Sequence, residues 1–324
     1  METAISVHKL RKEFRGRGKS IVAVDDIDFT LRRGEILGFL GPNGAGKTTT
    51  IKMLCGLVKP TSGSLLIGGI DPAANPRKAM RKLGAVLEGS RNTYWRLTVD
   101  ENLEYFAYSR GRVSSDFRHR RDRLLTTLGL AEKRTELVQK LSRGMQQKVA
   151  LGCALIPDPE ILLLDEPTLG LDLQSSQAIQ QEIKRLADQE GKSILLTTHQ
   201  MEIAHALSTH VAIMNRGRIV VQDKVKNLLD VFSLGMYTIR VYGWLPAEER
   251  TWLEARWGAE LDHDESGTTL RVPLTDARQL YLIIEILERH KLLISNIQRL
   301  EPNLGEIYLK LIEEGPVEAT RFGA

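Results

Sequence analysis

The segment GPNGAGKTT at positions 41–49 decides the fold, because it satisfies the pattern G-x-x-x-x-G-K-[ST] between a predicted strand and a predicted helix. The apolar run at 35–40 has strand character, and residues 49–57 are predicted to continue as a helix. Glycines let such a loop wrap closely around an anion, so that successive backbone N–H groups face phosphate oxygens. The helix presents its positive N-terminal end to the same anion. The segment therefore predicts an α/β fold that binds a nucleoside triphosphate.

Each part of this loop has a predicted task. Lys47 is placed to neutralise the β and γ phosphates of ATP, and the hydroxyl of Thr48 is placed to bind Mg²⁺. ATP and Mg²⁺ are therefore the predicted ligands. The predicted ATP-binding residues of the loop are Gly41, Pro42, Asn43, Gly44, Ala45, Gly46, Lys47, Thr48 and Thr49.

A second apolar run, ILLL at 161–164, ends in the two carboxylates Asp165 and Glu166. Open α/β sheets bind ligands at the C-terminal ends of their strands. Asp165 is predicted to hold Mg²⁺, directly or through water, and Glu166 to polarise the water that attacks the γ-phosphate. Alone, such a run is often only a strand that meets a solvated loop. Beside the loop at 41–49, it indicates ATP hydrolysis.

A third apolar strand, at 193–198, ends at His199. A histidine after a strand is often only a surface residue. This strand is expected to run close to the one that carries Asp165, so we interpret His199 as a group that hydrogen-bonds the γ-phosphate and senses its loss. Together with Lys47 and Glu166, it forms the predicted catalytic set.

The rest of the first 225 residues has three kinds of pattern. Residues 1–33 alternate between apolar and polar in short stretches and predict strands joined by a turn at 15–18. The strands interleaved with a helix at 175–189 predict a parallel sheet covered on both faces. Residues 94–154 predict a mostly helical insertion. Its stretch 110–123 carries six arginines, and is either a solvated helix face or a contact for a partner or anionic headgroups.

The chain changes character after residue 225. Residues 226–324 are predicted to form a small accessory α+β domain with the order β-α-β-β-α-β, which is that of a ferredoxin-like unit, followed by a helix near 304–313. A hairpin turn is predicted at 265–267. Asp276 is placed to cap the helix at 276–289.

Composition limits the class of protein. Hydrophobic residues make up 42% and charged residues 27%, as in a soluble protein with a substantial core. The net charge of +4 does not indicate a nucleic-acid partner. Cys55 and Cys153 lie in apolar segments and are predicted to be buried thiols in a reducing compartment. No charged-then-apolar leader opens the chain and no apolar run reaches the length of a membrane helix, so we expect a cytoplasmic protein.

The segment LSRGMQQ at 141–147 resembles the signature sequence of ATP-binding-cassette (ABC) ATPases, usually written LSGGQ. The motif order is also that of the family: phosphate loop, signature, Asp-Glu strand, LGLD at 169–172, then the switch histidine. The resemblance covers about residues 1–225. It implies a P-loop NTPase cassette with a RecA-like parallel sheet core, an N-terminal antiparallel β part and a helical insertion.

The resemblance also implies a second copy of the chain. In the family, two cassettes pair head to tail around two ATP molecules. Ser142 and Gly144 of one copy would contact the γ-phosphate held by the loop of the other, and Asp172 would couple the two sites. Phe14 matches the position of the aromatic residue that stacks on adenine, and its alternative role is that of a buried strand residue.

Three residues depart from the family pattern. Arg143 and Met145 stand where the signature has its first glycine and its glutamine, which is compatible with binding if both side chains point away from the nucleotide. Glu88 stands where the family has a glutamine. A carboxylate there can still reach Mg²⁺, so Glu88 is kept as a predicted ATP-site and Mg²⁺ residue.

Other classes fit the chain less well. Only about 95 residues separate Lys47 from Ser142, without sustained heptads, which argues against repair and chromosome-organising members of the superfamily. Translation-type members carry two cassettes, and kinases and GTPases lack the signature. The resemblance implies the motor of a transporter, peripheral on the inner face of the cell membrane through a separate multi-span permease. Residues 94–103 and 304–312 are similar to those of drug-resistance and type-2 exporters. A motor of an importer, or a soluble ABC-type ATPase, is the alternative.

Overall fold

The computed structural model describes residues 2–16, 19–88, 92–111, 116–232, 236–264, 267–274, 276–299 and 304–313. These residues fall into two compact units. The first consists of residues 2–225 together with 311–313, and the second of residues 226–310. None of the helices within the described ranges is both long and apolar enough to cross a membrane.

A mainly parallel sheet forms the centre of the first unit. Its strands follow continuous apolar runs, because helices cover both faces of the sheet. They are β3 (Ile36–Leu40), β5 (Leu83–Val86), β6 (Ile161–Asp165), β7 (Ser193–Thr198), β8 (His210–Asn215) and β9 (Arg218–Lys224). Among the described residues their order is β5-β6-β7-β3-β8-β9, and only β9 is antiparallel to its neighbour. The predicted parallel core is confirmed, and β3 and β6 lie on either side of β7.

The N-terminal strands form a separate antiparallel sheet. β1 (Thr3–Gly16) pairs with both β2 (Lys19–Arg32) and β4 (Ser62–Ile67). The predicted alternating strands are therefore confirmed, and part of their turn, 17–18, lies outside the described residues. Phe29 of β2 packs edge-on against Phe39 of the central sheet, with ring centroids 4.8 Å apart. This contact joins the antiparallel sheet to the core.

Helices pack around the central sheet: α1 (Lys47–Leu54), α2 (Pro76–Met80), α6 (Leu173–Asp188) and α7 (Met201–Leu207). A further helix, α8 (Val225–Phe232), follows β9 along the chain. Helix α1 was predicted at 49–57, but it begins two residues earlier and ends three residues earlier. It ends because Gly56 adopts a left-handed conformation, with φ of 70°.

The insertion is helical, as predicted, with α3 (Val99–Ser109), α4 (Phe117–Thr127) and α5 (Arg143–Leu155). Thr98 and Glu101 form a capping box at the start of α3. Two arginines of the basic stretch serve the insertion itself. Arg120 donates a hydrogen bond to the carbonyl oxygen of Ile156 at 3.2 Å, and Arg121 forms ion pairs with Asp100 and Asp122. Residues 112–115 of that stretch lie outside the described ranges.

The second unit has the predicted order of a ferredoxin-like fold. Its elements are β10 (Met236–Tyr242), α9 (Ala247–Trp257), β11 (Glu260–Asp264), β12 (Gly267–Pro273), α10 (Ala277–Arg289) and β13 (Leu293–Arg299), and α11 (Leu304–Glu313) follows. The antiparallel sheet has the order β11-β12-β10-β13. Asp276 caps α10 through a hydrogen bond from the N–H of Arg278 at 3.0 Å, as predicted. The predicted turn at 265–267 lies largely outside the described residues.

Both cysteine thiols are free. Cys153 is buried as predicted. Cys55, the C-terminal cap residue of α1, is only partly buried and packs against the apolar core of the first unit. Burial nevertheless raises the pKa of the Cys55 thiol to about 12, so this thiol is unreactive at neutral pH.

Candidate ATP site

The loop at 41–49 leaves β3 and enters α1 with two positions that demand glycine. Gly46 has φ of 103°, and a Cβ atom there would lie 2.5 Å from the carbonyl oxygen of Ala23. A Cβ atom on Gly41 would collide with the carbonyl oxygen of Met214. The loop is therefore packed tightly on its protein side, which leaves its other side free to face a ligand.

The side chain of Lys47 is buried at the centre of this loop. Its Nζ atom donates hydrogen bonds to the carbonyl oxygens of Gly41 at 2.5 Å and Pro42 at 3.2 Å, and lies 3.9 Å from Oε1 of Glu166. Burial lowers the pKa of Lys47, and the negative charges of Glu166 and the other nearby carboxylates act in the opposite direction. A buried ammonium group whose hydrogen-bond acceptors are two neutral carbonyl oxygens favours a further anionic ligand such as a phosphate.

Asp165, at the end of β6, is arranged as a metal ligand. Its Oδ1 atom accepts hydrogen bonds from Oγ1 of Thr48 at 3.1 Å and Oγ1 of Thr197 at 2.5 Å. Its Oδ2 atom is buried and has no hydrogen-bond partner. Hydroxyl and carboxylate oxygens are the ligands that Mg²⁺ prefers, and Mg²⁺ is usually held by one or two carboxylates plus substrate phosphates. The residues therefore fit Mg²⁺, although no cluster of three or more acidic, His or Cys ligands occurs in the described ranges.

Glu166 follows Asp165 in an unusual backbone conformation, with φ of 49°. Its N–H group donates to both the carbonyl oxygen and Oγ1 of Thr197, at 3.1 and 3.2 Å. Its Oε1 atom lies 2.9 Å from Nδ1 of His199. Such backbone strain persists only where surrounding contacts hold it, and it is typical of functional sites. The loop of β3 and the ends of β6 and β7 thus bring Lys47, Glu166 and His199 together.

A cavity of about 560 Å³ opens above the loop. Glu88, Glu166 and His199 line it on one side and exposed apolar residues of β2 on the other. The lining residues are Ile21, Val22, Ala23, Pro42, Asn43, Gly44, Ala45, Gly46, Lys47, Thr48, Thr49, Glu88, Glu166, Leu169 and His199.

Phe14 does not line this cavity, although Ile21, its partner across β1 and β2, does. The ring of Phe14 is 44% exposed, so its alternative role as a buried strand residue is wrong. Nζ of Lys12 lies 4.9 Å from the ring centroid. Adenine stacking by Phe14 stays a prediction.

The signature residues lie apart from the cavity of their own loop. Ser142 caps α5 and accepts a hydrogen bond from the N–H of Met145 at 3.3 Å. Asp172 caps α6 through the N–H of Ser175 at 2.9 Å, and this bond lowers the pKa of Asp172. Gly144 is buried so closely against Ser175 that a side chain there would collide with it. Ser142, Gly144 and Asp172 are absent from the residues that line the 560 Å³ cavity.

A smaller cavity of about 300 Å³ adjoins the first, since Glu88, Glu166 and Leu169 line both. Arg143 lines its other side, at the start of α5. Asp165 also contributes to its wall. The smaller cavity therefore reaches the predicted metal ligand from the side of the helical insertion.

Sequence reasoning missed Thr197, which hydrogen-bonds both Asp165 and the backbone of Glu166. It also missed Asn92, whose amide bonds both the N–H and the carbonyl of Leu87, at 2.9 and 2.6 Å, just before Glu88. The sequence feature that could have indicated this role of Thr197 is its position, because it places a hydroxyl group at the end of the strand that was predicted to lie next to β6. No motif in the segment around Asn92 predicted that its amide would bind the backbone of Leu87.

The fold and the site together define a P-loop NTPase of the ABC class. A family model described as ABC transporter matches residues 24–169. The chain is 34% identical over 226 residues to the ABC transporter ATP-binding protein NatA of Bacillus subtilis (strain 168), covering 70% of this chain and 92% of NatA. It is 38% identical over 239 residues to the Nod factor export ATP-binding protein I of Ralstonia nicotianae, covering 74% of this chain and 72% of that protein.

Among solved structures, the chain is similar to a dimeric ATP-binding cassette in a post-hydrolysis state bound to ADP and Pi. The TM-score is 0.62 at 27% identity, over 68% of this chain and 98% of that cassette. The chain belongs to the ATP-binding proteins of the ABC transporter family, and it is an ATPase.

Proposed function

We propose that this chain is the motor subunit of an ABC exporter, and that it drives a separate membrane-spanning permease by ATP-dependent dimerisation. The observation that carries the proposal is the meeting of Lys47, Glu166 and His199, with Oε1 of Glu166 3.9 Å from the lysine nitrogen and 2.9 Å from the imidazole. Export is favoured because one similar protein carries the name Nod factor export ATP-binding protein. It is also favoured by the resemblance of residues 94–103 to exporter cassettes.

The residues at this site divide the chemistry between them. The loop N–H groups and Lys47 bind the phosphates, and Thr48 and Asp165 hold Mg²⁺, with Glu88 as a further oxygen ligand. Mg²⁺ supplies charge neutralisation on the phosphates when it is bound. Glu166 orients and polarises the attacking water, and His199, hydrogen-bonded to Glu166, binds the γ-phosphate.

The second copy of the chain completes the site. Ser142 and Gly144 begin a helix whose N-terminus favours an anion, yet they do not line the cavity of their own loop. A head-to-tail pair brings them to the γ-phosphate on the partner, and Asp172 then couples the two sites. ATP becomes part of a two-fold interface, and hydrolysis weakens that interface.

Glu166→Gln tests this mechanism. Removing the carboxylate stops hydrolysis while leaving the phosphate contacts, so we expect this variant to form a stable dimer with ATP and Mg²⁺, as measured by light scattering after size-exclusion chromatography. Glu202→Gln, an exposed neighbour on α7, is the matched control and is expected to turn over ATP normally. A Glu166→Gln variant that stays monomeric at saturating ATP would contradict the dimer mechanism.

Partnership is tested separately from hydrolysis. We expect the chain to copurify from detergent-solubilised membranes with a polytopic permease, and its ATPase rate to rise in that complex. Transport in inverted vesicles then assigns direction, since an exporter accumulates cargo inside them when ATP is added outside. Accumulation only in right-side-out vesicles would indicate an importer, and failure to copurify with any membrane chain would indicate a soluble ABC-type ATPase.

The same proposal includes the roles of the two domains and the place of the chain in the cell. Residues 1–225 act as the ATP-binding domain, and residues 226–324 as an accessory domain. The chain lies on the cytoplasmic face of the membrane through its permease, with no nucleic-acid partner. The cargo is bound by the permease, so it is not encoded in these residues.

A further inference from the structure

A cluster of three charged side chains lies where β1, β2 and β9 meet. Asp25 of β2 forms ion pairs with Arg11 of β1 and with Arg218 of β9. Nε of Arg218 donates a hydrogen bond to Oδ2 of Asp25 at 2.7 Å. The side chain of Asp25 is only 16% exposed, whereas that of Arg218 is 73% exposed. The three side chains are not among those that line the 560 Å³ cavity, so any effect on ATP has to pass through other residues.

Asp25 reaches this position through a bulge between β1 and β2. Between the strand pairs that join positions 10 with 27 and 12 with 24, β1 has one residue, Arg11, and β2 has two, Asp25 and Asp26. Asp26 has φ of 49°, a left-handed conformation that is uncommon outside glycine. Bulges of this kind redirect a side chain and are frequent beside active sites. The bulge therefore directs attention to what Asp25 holds in place.

Two backbone hydrogen bonds connect Asp25 to the phosphate loop. The N–H of Asp25 donates to the carbonyl oxygen of Gly217 at 2.8 Å, and the N–H of Gly217 donates to the carbonyl oxygen of Ala45 at 3.1 Å. Gly217 lies in the turn between β8 and β9, directly before Arg218. A Cβ atom on Gly217 would lie 3.1 Å from the carbonyl oxygen of Ala23, which lines the cavity together with Ala45. The ion pair of Asp25 with Arg218 thus fastens a turn that is packed against both the loop and the cavity wall.

We propose that Asp25 is a positioning residue for the phosphate loop. Its carboxylate holds Arg218, and with it the turn at Gly217 that binds the backbone of Ala45. A loop that is fixed before its ligand arrives loses less conformational entropy on binding, so the cluster strengthens ATP binding without contacting ATP. The inference rests on the proposed binding of the ATP phosphates by this loop. Glu166 and His199 follow other strands, outside these contacts, so we expect a larger effect on ATP binding than on hydrolysis.

Steady-state ATPase kinetics of the full chain at saturating Mg²⁺ test the inference. Asp25→Asn removes the charge at nearly constant size and weakens both ion pairs, so we expect it to raise KM for ATP about three- to tenfold, with a smaller change in kcat. Arg218→Gln weakens one pair and is expected to raise KM about two- to fivefold. Because Arg218 is exposed, this second variant keeps the core intact and tests the inference even if Asp25→Asn fails to fold.

Three comparison variants separate positioning from a general loosening of the sheet. Arg218→Lys keeps the charge and is expected to stay close to the unmodified protein. Asp25→Asn combined with Arg218→Gln is expected to be no worse than Asp25→Asn alone, because the pair is already lost. Asp28→Asn removes another ion pair between β1 and β2, that with His8 at 2.6 Å, and is expected to leave KM unchanged.

An unchanged KM in both Asp25→Asn and Arg218→Gln would overturn the inference. Additive effects of these two substitutions, or an equal rise in KM for Asp28→Asn, would also overturn it, because the pair would then have no special connection with the loop. A fall in kcat at constant KM would indicate a loss of folded protein and would argue against positioning. Failure of the proposed phosphate site is recognised separately, since Lys47→Ala would then bind ATP as tightly as the unmodified chain.

Discussion

Thr197→Val replaces a hydroxyl group by a methyl group of similar size beneath the predicted metal site. The hydroxyl donates to Oδ1 of Asp165 at 2.5 Å and accepts from the N–H of Glu166 at 3.2 Å. Thr197 and Asp165 are both buried, at 0% and 1% exposure, so water cannot replace the lost partner. The substitution therefore removes a hydrogen bond to a charged group without creating a cavity.

The expected cost follows from these contacts. A hydrogen bond to a charged group contributes about 1.5–3 kcal/mol to stability. The N–H of Glu166 keeps a second acceptor, the carbonyl oxygen of Thr197 at 3.1 Å, so its share of the loss is small. We expect the free energy of unfolding to fall by about 1.5–3 kcal/mol. The ATPase rate is expected to fall about 10- to 100-fold, because a residue that orients a metal ligand typically has that effect.

Thr198→Val is the matched control on the same strand. Among the described residues, its hydroxyl accepts a hydrogen bond from the N–H of Gln200 at 3.0 Å, and this bond involves no charged group. That bond is expected to contribute about 0.5–1.5 kcal/mol. Urea unfolding without nucleotide, followed by circular dichroism, compares the two variants. If Thr197→Val is no more destabilising than Thr198→Val, or leaves the ATPase rate unchanged, then Thr197 does not anchor Asp165.

Two further predictions concern the loop and the cap of α6. Gly46→Ala is expected to destabilise the apo protein more than Gly44→Ala, because the new Cβ at position 46 would collide with the carbonyl oxygen of Ala23. A Cβ at position 44 would meet open space, so Gly44→Ala is expected to cost only the left-handed backbone conformation, about 1–2 kcal/mol. Equal unfolding midpoints would refute this. The hydrogen bond from the N–H of Ser175 lowers the pKa of Asp172 from its ordinary value of 3.8. The stabilisation of α6 by this cap is therefore present above pH 3.8, and it is lost as the pH falls through the lowered pKa of the folded protein. Asp172→Ala should therefore lower the unfolding midpoint at neutral pH but not in acid, and a difference that persists in acid would contradict the assignment.

The parts of the site that the sequence predicted are those with a local pattern. The loop at 41–49, the carboxylates of Asp165 and Glu166, and His199 each follow an apolar strand, and the structure brings them to one edge of the sheet. Thr197 could not be predicted in the same way. Its role depends on the parallel register of β6 and β7, which sets Thr197 opposite Asp165, and no short segment encodes that register.

Other features could not be predicted from the sequence, because they depend on backbone conformation or on hydrogen bonds that short sequence patterns do not show. Asn102 is fully buried, and its amide holds the backbone of Tyr94 through hydrogen bonds of 2.7 and 3.0 Å. On sequence it is an ordinary polar residue of a helix. The end of α1 was also misjudged, because the apolar run continues past Gly56 while the backbone does not. Helix ends follow from backbone conformation more than from apolar pattern.

The structure also explains why the signature sequence departs from its usual form where it does. Met145 is partly buried and packs against the apolar core of the insertion, and Arg143 projects into the 300 Å³ cavity, so both positions have room for a side chain. Gly144 has none, because any side chain there would collide with Ser175. Ser175 is itself bonded to Asp172, so this contact joins the start of α5 to the start of α6. The packing of a single chain is therefore enough to require glycine at position 144. The close contact between Gly144 and Ser175 sets the distance between the segments around Ser142 and Asp172, which are the segments that a second copy is proposed to contact.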